Sequence, residues 1–283
     1  NGMIGMIEVL NTMEQSSDQS RAIGTIRNSA LSLLRIIGDI LDAKKIDAGK
    51  LEIESAKMEL RPVIEGAVIT LQTMADDVQV RLALSIDPDV PIWVWADSGR
   101  LRQIVLNLLS NAIKYTANDL IGQKGWVYIS VTRLPNSNLV LKVQDEGIGM
   151  SKELQKRLFQ PFVQGETTST PRFSGTGLGL VITKQIVHQM GGVLITQSAQ
   201  GQGTTITVEL PLPEISKHTS GHGIRDIEIN YFRQEGSGEI WNLARNLQKQ
   251  GAIVNQQPIS DKTDCLTIAP QVGFIYLLHS KSA

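Results

Sequence analysis

The spacing of apolar and polar positions divides the chain into two regimes. Up to residue 48 the period is helical: Ile23, Ile26, Ala30, Leu33, Ile37 and Ile40 follow one another in steps of three and four, the seam of a bundle or coiled coil. This predicts helices over 3–14 and 20–48, joined by the polar turn Gln15-Ser16-Ser17-Asp18, with Gly49 just past the end of the second. Leu31, Leu34, Ile36 and Leu41 widen the stripe beyond what one short helix covers, so two hairpins pairing into a dimeric four-helix bundle are expected. From Leu51 the pattern changes to strands mixed with helices. Strands are expected over 51–54, 78–86, 92–95, 126–134, 139–144, 193–197 and 204–210, and helices over 61–75, 99–116 (capped by Asp97), 151–158 and 178–190. That order gives an α/β sandwich with a mixed sheet rather than repeated βαβ units. Residues 214–223 read as a linker, and 224–283 show a strand–helix–strand order with strands near 227–232, 252–255, 265–268 and 273–278 and a helix over 238–249.

Composition narrows the classes. The net charge is -1 and the aromatic fraction 5%, so neither a long-range field nor a base-stacking surface points to nucleic acid. The single cysteine, Cys265, permits no intrachain disulfide and points to a reducing compartment. No apolar run approaches the ~18 residues of a membrane span. The first residues, Asn1-Gly2-Met3-Ile4, stand inside an apolar helical pattern, as expected of a cut through a longer protein.

Three stretches carry candidate chemistry. On the helix 99–116, Asn107, Asn111 and Lys114 fall within about 60° of one another at ~100° per residue, beside an apolar face of Leu101, Ile104, Val105, Leu108, Leu109 and Ala112. An amide oxygen suits Mg²⁺ and an ammonium suits a polyphosphate, although a solvated polar face has the same pattern. Asp145-Glu-Gly147-Ile-Gly149 follows a strand, where a carboxylate can accept from an exocyclic amine and glycines let the chain approach a ligand; a plain turn also fits. Gly175-Thr-Gly177-Leu-Gly179-Leu180 leads into a helix without the preceding strand of a dinucleotide fingerprint or the lysine of a P-loop, which favours a glycine-hinged lid.

Together, in this order, the stretches resemble the histidine kinase branch of the GHKL ATPases, the sensor histidine kinases of two-component systems. Gln103-Ile-Val-Leu-Asn107-Leu-Leu-Ser-Asn111-Ala-Ile-Lys114-Tyr115-Thr resembles the N box, Asp145–Gly149 the G1 box, Leu158-Phe159-Gln-Pro-Phe162 the F box and Gly175–Leu180 the G2 box. Gly201-Gln-Gly203-Thr204-Thr205 resembles the glycine motif that closes the domain. The resemblance covers residues 1–213 and implies an α+β chain. Residues 1–50 would be a dimerisation and phosphoacceptor hairpin and 51–213 an ATP-binding domain. The strand–helix–strand order of 224–283 resembles the first half of a receiver domain but lacks its acidic cluster, which leaves a degenerate or truncated receiver-like segment of a hybrid-type kinase, or another module. The family resemblance implies ATP and Mg²⁺ as cofactors. Asp145 would read the adenine amine, with Gly147, Gly149 and Thr204 beside it, and Tyr115 would lie against the base. Asn111 would hold Mg²⁺, while Asn107 and Lys114 would hold phosphates. A lid over 160–180, with Phe162, Arg172, Gly175, Thr176, Gly177, Leu178, Gly179 and Leu180, would close over them.

The resemblance further implies a homodimer, a response-regulator receiver as partner, and a cytoplasmic domain whose parent is an inner-membrane sensor. The family's phosphoacceptor motif is missing. The four histidines are His188, His218, His222 and His279, none on the bundle helices, so the acceptor is expected upstream of Asn1 and this chain is expected not to phosphorylate itself. Two other classes compete. A chaperone- or topoisomerase-type ATPase is disfavoured because Asn107 stands where a water-activating glutamate would be sought. A nucleotide-free pseudokinase scaffold is disfavoured by the intact boxes.

Overall fold

The computed structural model describes residues 16–87, 89–117, 125–163 and 177–215, with Met6, Leu10 and the segments 228–232, 253–257 and 275–278. Asn1–Leu51 with Gln160–Ile182 make one compact unit, and Glu52–Phe159 with Thr183–Ala283 the other.

In the first unit α1 (Ser17–Asp47) is one helix of 31 residues. It starts ahead of the expected residue 20 because Ser16 and Gln19 form a capping box: Ser16 Oγ accepts from the Gln19 amide at 3.3 Å and Gln19 Oε1 from the Ser16 amide at 2.9 Å. The Ser-x-x-Gln spacing is its sequence signal. Gly49 ends the helix as expected, with φ 65°. The Lys50 amide there donates to the Lys45 carbonyl. Along the seam Ile26, Leu33, Leu34, Ile37, Ile40 and Leu41 are 41–57% exposed. Of the expected helix over 3–14, Met6 and Leu10 are helical and exposed, and the rest lies outside the described residues.

The second unit is built on a six-stranded sheet of order β10-β2-β4-β5-β7-β6. Its strands are β2 (Arg81–Ile86), β4 (Trp126–Arg133), β5 (Leu139–Asp145), β6 (Val193–Ser198), β7 (Thr204–Leu210) and β10 (Ile275–Leu278). β2 and β4 run parallel and the other neighbours antiparallel, the mixed sheet that the pattern predicts. Alternate side chains are buried: Val127, Ile129 and Val131 on β4, Leu139, Leu141 and Val143 on β5, Ile206, Val208 and Leu210 on β7. The helices α2 (Leu60–Asp77) and α3 (Ser98–Thr116) pack on each other and on this sheet. They bury Ile64, Ala67 and Val68 from α2 and Leu101, Ile104, Leu108 and Leu109 from α3, and removing this apolar surface from water is the main stabilising term. Two further helices, α4 (Lys152–Arg157) and α5 (Gly179–Gln189), fall where the apolar spacing places them.

Two expected strands differ from what is observed. Residues 51–55 form no strand; β1 is Ala56–Glu59, paired antiparallel with β3 (Trp93–Ala96) from Ala56↔Ala96 to Glu59↔Trp93. β3 stops at Ala96 because Asp97 turns the chain into α3, so nothing remains for residues 51–55 to pair with, and the Glu54 amide donates instead to Asp97 Oδ2 at 3.0 Å. The strand expected from Val78 begins at Arg81, because Val78 and Gln79 close α2, Gln79 with φ 58° and the Val80 amide bonded to the Ala75 carbonyl.

Residues 213–215 lie along the free edge of β3. Trp95 N–H donates to Pro213 C=O, Ile215 N–H to Trp93 C=O, and Arg133 pairs with Glu214 at 2.7 Å. Beyond them β8 (Glu228–Phe232) and β9 (Ile253–Gln257) pair in parallel, which requires a crossover between them. The helix expected over 238–249 and the strand over 265–268 lie outside the described residues, as do His218, His222, Cys265 and His279.

Candidate nucleotide-binding site

The site grows from the start of α3. Asp97 caps the helix, its Oδ1 accepting from the Arg100 amide at 3.0 Å, and this sets the rotation that carries Asn107, Asn111 and Lys114 on one face. Asn107 is more buried than a polar face suggests, 8% exposed, because its amide donates to the fully buried Thr183 hydroxyl of α5 at 3.3 Å. Thr183 was not singled out from the sequence. A hydroxyl between the buried Ile182 and Ile186 is the signal that could have found it. Asn111, Lys114 and Tyr115 are half-buried, and the Lys114 ammonium sits 5.0 Å from the centroid of the Tyr115 ring. Burial pushes the Tyr115 phenol above its usual range.

Asp145 ends β5 in register with Val127 on one side and Thr204 on the other. It is 8% exposed. The amides of Gly147 and Thr204, each at 3.0 Å, both donate to Oδ1, so neither of them occupies Oδ2. Burial raises the carboxyl to about 6, the two amide bonds oppose that rise, and the charge of Glu146 adds to it.

The glycines around Asp145 answer a different demand from the expected approach to a ligand. A Cβ on Gly147 would run into the Tyr115 carbonyl, one on Gly149 into the Ala199 carbonyl, and one on Gly203 into the Asp145 carbonyl. What comes close is protein backbone: the Ile148 amide donates to the Tyr115 carbonyl at 3.2 Å and the Gly201 amide to the Ile148 carbonyl at 2.7 Å. The end of α3, the Asp145 turn and the Gly201–Thr204 turn are thereby locked together. Ser198 and Gln155, also missed from sequence, add to the lock. Ser198 Oγ accepts from the Met150 amide at 2.9 Å, and Gln155 Nε2 donates to the carbonyls of Met150 and Ser198 at 3.0 and 2.9 Å.

In the other unit, Phe162 has φ 63° and is 72% exposed. Gly177, φ 68°, passes so close that a Cβ there would stand 2.8 Å from Phe162 Cα. The two described stretches of the expected lid, 160–163 and 177–180, are therefore packed backbone to backbone at Phe162 and Gly177. Leu178 is buried, while Gly179 and Leu180 open α5 half-buried. Arg172, Gly175 and Thr176 lie outside the described residues.

The donor set fits Mg²⁺ as a companion of phosphates. Among the described residues no group of three or more His, Cys, Asp or Glu is placed to hold a metal. A hard amide oxygen is available from Asn111 on the Lys114 face, which suits an ion that keeps several waters and phosphate ligands.

Residues 96–214 match the model of the histidine kinase-, DNA gyrase B-, and HSP90-like ATPases. The chain is 37% identical over 214 residues to the sensor protein GacS of Pseudomonas syringae pv. syringae, covering 76% of this chain and 23% of that protein. It is 39% identical over 214 residues to the signal transduction histidine-protein kinase BarA of Escherichia coli K12, covering 75% of this chain and 23% of that protein. The chain thus spans about a quarter of the length of the curated relatives it matches. Among solved structures, full-length ShkA in complex with AMPPNP superposes with a TM-score of 0.71 at 23% identity over 90% of this chain and 52% of that one. The Acinetobacter baumannii histidine kinase AdeS gives 0.52 at 19% identity over 74% and 94%. These two show the fold, and the curated relatives that the chain resembles over about three quarters of its length are sensor kinases.

Proposed function

We propose that this chain is the ATP-binding core of a sensor histidine kinase that passes the γ-phosphoryl group of ATP to a histidine that none of His188, His218, His222 and His279 supplies, and from there to a receiver aspartate. The observation that carries the reading is Asp145, a buried carboxylate whose two amide bonds both fall on Oδ1 and whose turn is bonded, through the Ile148 amide, to the Tyr115 carbonyl at the end of the helix bearing Asn107, Asn111 and Lys114.

Asp145 Oδ2 accepts from the adenine amine, with Gly147, Gly149 and Thr204 shaping the turn and Tyr115 lying against the base. Lys114 and Asn107 hold the phosphates and Asn111 holds Mg²⁺, which when bound neutralises phosphate charge. The segment 160–180 closes over the nucleotide and excludes water. Phosphoryl transfer breaks the bond from the γ-phosphorus to the bridging oxygen and forms one to an imidazole nitrogen, so the protein's task is positioning and charge neutralisation. Pairing of two helical hairpins through their α1 seams forms the dimer. The parallel β8–β9 pair supports a receiver-like segment after the ATPase domain. No described helix is long and apolar enough to cross a membrane, so membrane attachment of the parent would come from other segments.

The test is a calorimetric titration of the full chain with Mg²⁺·ATP beside Asp145→Asn. Saturable binding lost in the variant is expected, with no acid-labile phosphate left on the chain. Absence of binding by the unmodified chain would defeat the reading.

A further inference from the structure

Glu146 stands outside the roles assigned so far, yet both its main chain and its side chain bond to β4. In the β4–β5 register the pair after Val127↔Asp145 would be Trp126 with Glu146. An antiparallel hydrogen-bonded pair exchanges two backbone bonds. Here the Glu146 amide donates to the Trp126 carbonyl at 3.1 Å, as a ladder requires. The reciprocal bond is different: the Trp126 amide donates to Glu146 Oε2 at 3.1 Å, the side chain standing in for its own main-chain carbonyl. Tyr128 Oη donates to the other carboxylate oxygen, Oε1, at 3.3 Å. Trp126 and Tyr128 stack at 5.6 Å between centroids, and the Arg81 guanidinium lies 5.2 Å from the Trp126 ring centre.

The consequence is geometrical. With its carbonyl released from the ladder, residue 146 can leave the strand within one step, so that Gly147 bends back to bond Asp145 Oδ1. We propose that Glu146 is a positioning residue for the nucleotide site, its carboxylate closing the β4–β5 ladder in place of its main chain and so holding the turn that presents Asp145. This rests on the nucleotide reading of Asp145. The same charge raises the Asp145 carboxyl, an influence smaller than burial and the two amides, so Glu146 affects where Asp145 ionises as well as where it points. The other titratable and charged groups around the turn are Lys114 and Tyr115 at the end of α3, Tyr128 on β4 and Arg81 on β2.

The test compares the full chain with Glu146→Gln and Glu146→Ala. In the alanine variant the Gly147 amide is expected to exchange its proton faster in nucleotide-free protein, and Mg²⁺·ATP affinity to fall about five-fold, the equivalent of one ordinary hydrogen bond. Glutamine keeps an oxygen for the Trp126 amide and is expected to restore most of the affinity. Its Asp145 carboxyl, followed by NMR, should nevertheless titrate below the unmodified midpoint, because a neighbouring negative charge is gone. Unchanged Gly147 exchange in the alanine variant, or an unchanged Asp145 midpoint in the glutamine variant, overturns the proposal. Both readings are made without nucleotide. If Asp145→Asn binds as tightly as the unmodified chain, it is the adenine reading that fails, and the exchange and titration data still decide the part played by Glu146.

Discussion

Burial pushes the Asp145 carboxyl up to about 6 although the amides of Gly147 and Thr204 favour its charged form. Its folded value lies above the ordinary one, so its contribution to stability is fully present below the ordinary carboxylate range and is lost as pH rises through about 6. An amine donor needs the charged form, so affinity runs the opposite way. Adenosine, which has no phosphate to titrate, is expected to bind about ten-fold more weakly one pH unit below the midpoint than well above it. Equal affinities at the two pH values would defeat that role for Asp145. The place of the carboxylate at a strand end was legible at the residue scale, while Asp-Glu-Gly-Ile-Gly alone fits a plain turn as well as a ligand site. Its partners were less so. The glycines read as room for a ligand, whereas Gly149 and Gly203 are required by backbones that meet only in three dimensions.

Asp97 joins two elements with one carboxylate: Oδ1 caps α3 and Oδ2 receives the Glu54 amide ahead of β1. Asp97→Ala removes both bonds and is expected to destabilise the domain by about 1–2 kcal/mol, while Asp97→Asn keeps most of that. The check is the denaturant midpoint at unchanged slope; an alanine variant as stable as the parent would contradict it. The cap was legible because an Asp before an apolar-periodic run is a local signal. The fate of residues 51–55 was not, because Leu-Glu-Ile-Glu alternates like a strand whether or not a partner lies alongside, and β3 is too short to supply one. Asn107 shows the same limit: its helical face follows from spacing, but its burial depends on Thr183 of α5.

At the scale of the whole molecule, the seam of α1 stands out, since single exposed aliphatics are ordinary but a row of six on one helix is not. Burying one such side chain fully is worth about 1.5–3 kcal/mol. Ile37→Asp is therefore expected to weaken self-association at least ten-fold in sedimentation equilibrium, with nucleotide affinity unaltered. A parent chain that stays monomeric at high concentration would remove the basis for a bundle. The small sheet around β3 has a different consequence. β1 pairs with β3 on one edge, and residues 213–215 lie along the other. The points where the backbone joins and departs from the ATPase fold are thus two strand spacings apart, within about 15 Å. These two stretches clip the start of the fold to residue 215, so a cut near residue 216 would leave both edges of β3 covered while taking β10 from beside β2 and baring that edge of the main sheet.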